Sequence, residues 1–303
     1  MNSESFIVKL QGGLGNQLFQ YAFGRALELE TGVPCLLDLQ EYRDSRRKLG
    51  LDHFQSKYTA APPECRANYR TPRLKLKRQL KQILGIRFAI AATHFIENGH
   101  RYDPSVFQKQ PPCYFEGYWQ SEKYFQKFAP AIRDELRFRD AGLFERHPLY
   151  ERIRAANSVS VHVRCGDYVK KAKIRKKLHV CTPGYYERAI TAMRKRNPAE
   201  NPHFFVFSDD HDWVRKNLPS GADFTLVSSS TEYEDLFLMS SCKNNIIANS
   251  TYSWWAAWLN PNAGKAVIAP DQWFTPAAKL DYKDVAPDGW LKIDCGFGKE
   301  TLL

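Results

Sequence analysis

The sequence predicts an α/β protein built on doubly wound parallel sheet, and two stretches carry that expectation. From residue 149 onward, short apolar runs alternate with amphipathic ones in unbroken order: helix LYERIRAA, strand SVSVHV, helix PGYYERAITAMRKR, strand HFFVFS, helix DWVRKNL, strand FTLVSS, helix EYEDLFLMSS, strand NNIIAN, helix YSWWAAWL and strand KAVIAP. Alternation of this kind calls for parallel strands joined by right-handed crossovers, with a ligand crevice at the carboxyl ends of the strands. The N-terminus opens the same way, with strand SFIVKL, turn QGGLGNQ, helix LFQYAFGRALELETG and strand PCLLDL.

Local signals support the elements in turn. Leu18, Ala22, Ala26 and Leu29 recur at helical spacing, and Gly32 followed by Pro34 supplies the stop. Thr182 can cap a helix with Pro183 at its first position, and Thr231 with Glu234 forms a capping-box pattern. Between about 40 and 150 the reading is less regular, because prolines at 62, 63, 72, 104, 111, 112, 130 and 148 interrupt the periods. Within it, Leu76, Leu80 and Leu84 lie one helical turn apart among basic residues, which predicts a basic amphipathic helix in 66–88. A boundary near 145–152 divides the chain into lobes 1–150 and 151–303, with the last residues packing back on the N-terminal lobe.

Composition narrows the function. A chain of 303 residues with 43% hydrophobic content can build one large core or two modest ones. No stretch reaches the roughly 20 apolar residues of a membrane helix. The opening MNSESFIVKL lacks the basic-then-apolar order of a signal peptide. A cytoplasmic protein is expected. The seven cysteines are scattered without a CxxC pair, so reduced thiols are expected instead of a zinc or redox site. The formal net charge is +11, yet 14 positive charges sit in two segments, eight between Glu64 and Glu97 and six in KKAKIRKK at 170–177. The rest of the chain is slightly acidic. Such patches suit anionic lipid, an anionic substrate or nucleic acid. Base stacking needs interleaved aromatics, and the second run has none while the first offers only Tyr69 and Phe88. Nucleic acid is therefore not expected, whereas peripheral contact with an anionic membrane is.

Four constellations carry chemistry. GGLGNQ at 12–17 lies between strand and helix, where glycines let backbone N–H groups approach an anion. It is neither a P-loop nor a dinucleotide fingerprint, since the third glycine of GxGxxG would fall on Leu18. HVRCGDY at 162–168 runs past the end of its strand, so Arg164, Gly166 and Asp167 emerge at the carboxyl edge, where Arg164 is placed to grip a diphosphate. His162 reads either as a site residue or as a satisfied core histidine. FVFSDDHDW at 205–213 spells an Asp-x-Asp pattern that holds a divalent metal elsewhere, although acids at a helix start are favoured by the dipole alone. NSTYSWW at 249–255 gathers the hydroxyls of Ser250, Thr251, Tyr252 and Ser253 at a helix N-terminus, a ready site for phosphate oxygens that is compatible with ordinary capping.

In this order and spacing, GGLGNQLFQYAFGRAL, YFEGYWQSEKYF, HVRxGDY, FVFSDD and NSTYSWWAAWLN closely resemble the alpha-1,2-fucosyltransferase family, glycosyltransferase family 11. The resemblance implies a GT-B-like α/β fold, two Rossmann-like lobes facing across a cleft, with GDP on the C-terminal lobe and the acceptor on the N-terminal one. It implies inverting, metal-independent transfer of L-fucose from GDP-β-L-fucose to the 2-hydroxyl of a terminal galactose, with no cofactor, on a glycan that can be lipid-linked at the inner face of the membrane. A fucosyltransferase of another linkage or acceptor is the alternative. By motif, Arg164 would neutralise the leaving diphosphate. His162 and Asp209 would lie near the nucleotide. Ser250, Thr251 and Ser253 would contact phosphates, and Gly13, Asn16 and Gln17 would face the diphosphate or the fucose. The family pattern reads HxRRGD, and Cys165 stands here in place of the second arginine. For the acceptor proton, Asp167 is the first candidate base, with Glu116 and Asp38 behind it. A path in which the leaving phosphate takes the proton needs none of them.

Overall fold

A computed structural model describes residues 4–43, 48–63, 94–166, 172–178, 181–196, 201–229 and 231–296. The basic helix expected within 66–88 lies outside them, as does Asp167. The chain divides into two compact units, Met1–Asp52 with Ser56–Glu135, and His53–Gln55 with Leu136–Leu303.

The first unit is organised by a five-stranded sheet of β1 (Phe6–Lys9), β2 (Cys35–Asp38), β3 (Thr59–Ala60), β4 (His94–Ile96) and β5 (Cys113–Glu116). Their order is β3-β2-β1-β5-β4 and every pair is parallel. The crossover from β1 to β2 is the helix Leu14–Thr31, which ends on Gly32 in the left-handed region, its N–H bonded to the Glu28 carbonyl. This helix starts four residues before the predicted Leu18, so Asn16 and Gln17 sit on its first turn. Its buried face carries Phe23, whose ring stacks on Trp119 at 4.0 Å and meets Phe115 and Tyr124 edge-on. On the same helix, Tyr21 and Arg25 both donate to the buried carboxylate of Glu135, at 2.5 Å and 2.8–2.9 Å. A buried charge is tolerable only when paired in this way.

The second unit holds β6 (Ser158–Val163), β7 (His203–Ser208), β8 (Phe224–Leu226), β9 (Asn244–Ile246), β10 (Val267–Pro270) and β11 (Leu291–Ile293). Their order is β11-β10-β9-β6-β7-β8, again all parallel. The alternation of strand and helix predicted from 149 onward is present, with β11 added at one edge. β6 lies inside the sheet and is buried along its whole length. Val159, Val161 and Val163 pack with Tyr185, Ala189 and Ile190 of the helix Pro183–Arg196. Burying each such valine stabilises the fold by roughly 1.5–3 kcal/mol. Ser160 turns to the other face, where its hydroxyl accepts from Asn245 at 2.7 Å. Thr182 and Thr231 cap their helices as their sequences predict, accepting from Tyr185 and Glu234 backbone N–H groups.

Each sheet has a point where the winding reverses. The chain runs from β6 out to β7 and β8, then returns to β9 on the other side of β6, so the crevice opens at the carboxyl ends of β6 and β9. In the first unit the reversal lies between β1 and β5. The segment KKAKIRKK includes a helix from Ala172 to Leu178. Among the described residues no helix is long and apolar enough to cross a membrane. The six described cysteines are buried and form no disulfide with one another.

Candidate active site

β6 delivers Arg164, Cys165 and Gly166 to the reversal point of the second sheet. Arg164 is part exposed and its Nη1 lies 2.8 Å from Asp209 Oδ2, at the end of the neighbouring β7. The other oxygen of Asp209 accepts from the backbone N–H groups of Cys165, at 2.8 Å, and Gly166, at 3.1 Å. One carboxylate thus aims the guanidinium and clamps the loop that carries it. A side chain at position 166 would overlap that carboxylate and push it from its place, so glycine there lets the brace stand. Asp209, expected near the nucleotide, acts in this geometry as the brace of Arg164. Cys165 is buried, so the thiol that replaces the family's second arginine supplies packing and no charge.

His162 is buried on the face of β6 opposite the valines, its ring 5.5 Å from that of Tyr252. Burial, with the Arg164 cation nearby, pushes it down to about 3. It is therefore neutral near pH 7 and unsuited to exchange protons there. The unfolded chain binds a proton at this site below about 6.5 and the folded chain does not, so stability is lost as pH falls from 6.5 toward 3. The slope is about 1.4 kcal/mol per pH unit. His162→Gln is expected to flatten that limb, read as melting temperature between pH 4 and pH 7 in the two proteins.

β9 leads into the helix Thr251–Leu259 through Asn249 and Ser250. Ser250 occupies the cap position but makes no side-chain hydrogen bond to the first turn, so the first-turn N–H groups lack that cap and suit an anion. Thr251 is half-buried beside it. Ser253 is fully buried and its hydroxyl donates back to the Ser250 carbonyl at 3.3 Å, so it shapes the turn. Asn249, which the sequence did not single out, is a tether. Its Nδ2 donates to the carbonyls of Leu178, at 2.7 Å, and Trp273, at 3.0 Å. Thr275 completes the attachment, its backbone N–H donating to the Lys177 carbonyl at 2.9 Å and its hydroxyl to the Lys176 carbonyl at 2.6 Å. The helix Ala172–Leu178, with Arg175, Lys176 and Lys177 exposed, is thereby fixed to the segment that leaves β9.

The Asp-x-Asp lookalike has local employment. Asp210 caps the helix His211–Asn217 by accepting from Trp213 N–H at 3.0 Å, and Asp212 pairs with Arg215 at 2.9 Å.

In the first unit, Gly12 adopts φ +88, and Gly13 is exposed with open space where a side chain would sit. Asn16 is half-buried and its Oδ1 accepts from Gln120 at 3.0 Å. Gln17 is buried, its Oε1 accepts from Gly50 N–H at 2.7 Å, and its Nε2 donates to the Lys48 carbonyl at 3.2 Å, so it staples the loop at 48–50. Gln17→Ala would leave that N–H and that carbonyl unsatisfied and is expected to cost about 1–3 kcal/mol in urea unfolding. Of the reserve bases, Glu116 pairs with His94 and Lys9 and is held down to about 2. Asp38 is buried and accepts from Tyr114 OH at 2.6 Å. Held that low, Glu116 is a weak base, and Asp38 is already engaged by Tyr114.

Two all-parallel Rossmann-like sheets, one ending in an arginine loop beside an uncapped helix N-terminus, define a GT-B-like glycosyltransferase. The fucosyltransferase NodZ of Bradyrhizobium matches 88% of this chain and 95% of its own length with a TM-score of 0.51 at 14% identity. The same enzyme, an alpha-1,6-fucosyltransferase, soaked with GDP-fucose matches at 0.50. The chain belongs to glycosyl transferase family 11, whose profile matches residues 74–294. An alpha-1,2-colitosyltransferase of Escherichia coli is 33% identical over 95% of this chain and 98% of that protein. The galactoside 2-alpha-L-fucosyltransferase Sec1 of Mus musculus is 29% identical over 54% of this chain and 45% of its own length.

Proposed function

We propose that this glycosyltransferase moves L-fucose from GDP-β-L-fucose to the 2-hydroxyl of a terminal galactose, with inversion and without a metal. The observation that carries the reading is Arg164, braced by Asp209 at the carboxyl end of β6, beside the helix N-terminus that follows β9. A guanidinium and backbone N–H groups aimed at a diphosphate do the electrostatic work of a metal, stabilising charge as it grows on the leaving phosphate. The acceptor oxygen attacks the face opposite the leaving group, which turns the β-linked donor into an α-fucoside. Its proton passes to a base, for which the sequence offers Asp167, or to the departing phosphate. A lipid-linked galactoside suits the basic segments, since these would hold the enzyme at an anionic membrane.

A second reading has colitose as the sugar, and the 33% identity to a colitosyltransferase over 95% of the chain favours it. Colitose is fucose without its 3-hydroxyl. A site that hydrogen-bonds that hydroxyl rejects the deoxy sugar by roughly 10⁴-fold, because its polar groups are left unpaired. The test is competition between GDP-fucose and GDP-colitose on lactose in EDTA, with the product linkage read by NMR. Fucose on galactose O2, with the higher kcat/KM for GDP-fucose, is expected. A higher kcat/KM for GDP-colitose would establish the second reading.

A further inference from the structure

Past the carboxyl end of β4 the first unit holds a cavity of about 270 Å³. That is just under the roughly 300–1,000 Å³ of small-molecule sites, so it has room for a single sugar ring. Its wall combines the rings of Phe95, Tyr102 and Tyr124 with the side chains of Glu97, Arg101 and Asp103. This is the mixture that sugars demand, apolar C–H faces against rings and hydroxyls against charged hydrogen-bonding groups.

The wall is built in advance. Tyr102 and Tyr124 meet edge to face at 4.9 Å. The Tyr124 hydroxyl accepts from Asp103 N–H at 3.0 Å and donates to the Arg101 carbonyl at 3.3 Å. Asp103 caps the next turn through Ser105 N–H at 2.9 Å. Glu97 accepts from the N–H groups of Tyr118, at 2.6 Å, and Trp119, at 3.1 Å, which fix its carboxyl group. Burial raises Glu97 to about 7, so near neutral pH it can both give and take a hydrogen bond with a hydroxyl. Groups held in place bind without the entropic cost of ordering them. The location also fits. β4 pairs with β5 and β5 with β1, so the cavity shares its sheet edge with the glycine loop, two strand spacings or roughly 10 Å away.

We propose that this cavity is an acceptor subsite that holds one sugar ring of the glycan, with the ring face on Tyr102 and Phe95 and hydroxyls on Glu97 and Arg101. The proposal rests on the transferase reading above, and its test separates the two. Saturation-transfer NMR with lactose and N-acetyllactosamine would be recorded on the wild-type protein, Tyr102→Ala and Glu97→Gln, with GDP binding measured by calorimetry on each. The expected result is saturation of galactoside protons by the wild type, at least tenfold weaker galactoside binding in both variants, and GDP affinity unchanged within twofold. Equal galactoside binding by wild type and variants would overturn the subsite. So would no galactoside binding by the wild type, or a parallel loss of GDP affinity, which would mark a structural role. Galactoside binding that fails in the variants, in a protein that transfers no fucose, would keep the subsite and reject the proposed reaction.

Discussion

Replacing Arg164 by alanine is expected to lower turnover by roughly 10²–10³-fold, the usual cost of removing one group that stabilises transition-state charge. The fold should survive. The side chain is 38% exposed and sits outside the core. Asp209, although it loses its cation, keeps the N–H groups of Cys165 and Gly166, so the loop after β6 stays clamped. Arg164→Lys restores the charge but not the planar fork that engages both Asp209 and a phosphate, and should recover only part of the rate. Turnover of GDP-fucose with lactose, beside the melting temperature, checks this. A melting temperature lowered by many degrees would recast Arg164 as structural. The point carries extra weight here because Cys165 leaves the loop with one arginine where the family pattern has two.

Asn249→Ala should be the most damaging single change for stability near the site. It removes the donors to the Leu178 and Trp273 carbonyls and the acceptor of the Cys181 thiol. Each buried group left unsatisfied costs about 1–3 kcal/mol. In a protein of this size each kcal/mol lowers the melting temperature by roughly 2–4 °C. The helix Ala172–Leu178 would lose one of its tethers and keep that of Thr275. Trypsin should therefore cut faster at Arg175, Lys176 and Lys177 in the variant than in the wild type, as resolved by mass spectrometry. Unchanged cleavage and melting would show that Thr275 alone fixes the helix.

The second sheet was legible because its strands are apolar and helices of clear period separate them. The two-residue period of SVSVHV is enough to set Val159, Val161 and Val163 on one face and His162 on the other. The first sheet was only half legible. β3 is two residues long and β4 three, too short for any alternation to register, and β5 follows directly on Pro111 and Pro112. At the candidate site, residue type pointed to loops at the strand ends but could not say which polar groups were already engaged. Gln17 and Ser253 look like ligand donors, yet their partners, Gly50 and Ser250, are set by the folded loop and turn. Asp209 becomes a brace only because β7 pairs beside β6 in register. Nothing local marks the helix at 172–178, because its tethers, Asn249 and Thr275, lie far downstream in the chain and its cation-rich sequence has no apolar stripe. Glu97 gave no local signal, since the suppression of its ionisation comes from burial against the loop after β5.

The central claim is that a braced arginine and a helix N-terminus activate GDP-fucose without a metal. The most direct measurement is GDP release from GDP-fucose by the purified protein, with and without lactose, in excess EDTA. Lactose-dependent release that persists in EDTA is the predicted result. Release abolished by EDTA and restored by a divalent cation would contradict it and return the carboxylates of Asp210 and Asp212 to the centre of the chemistry.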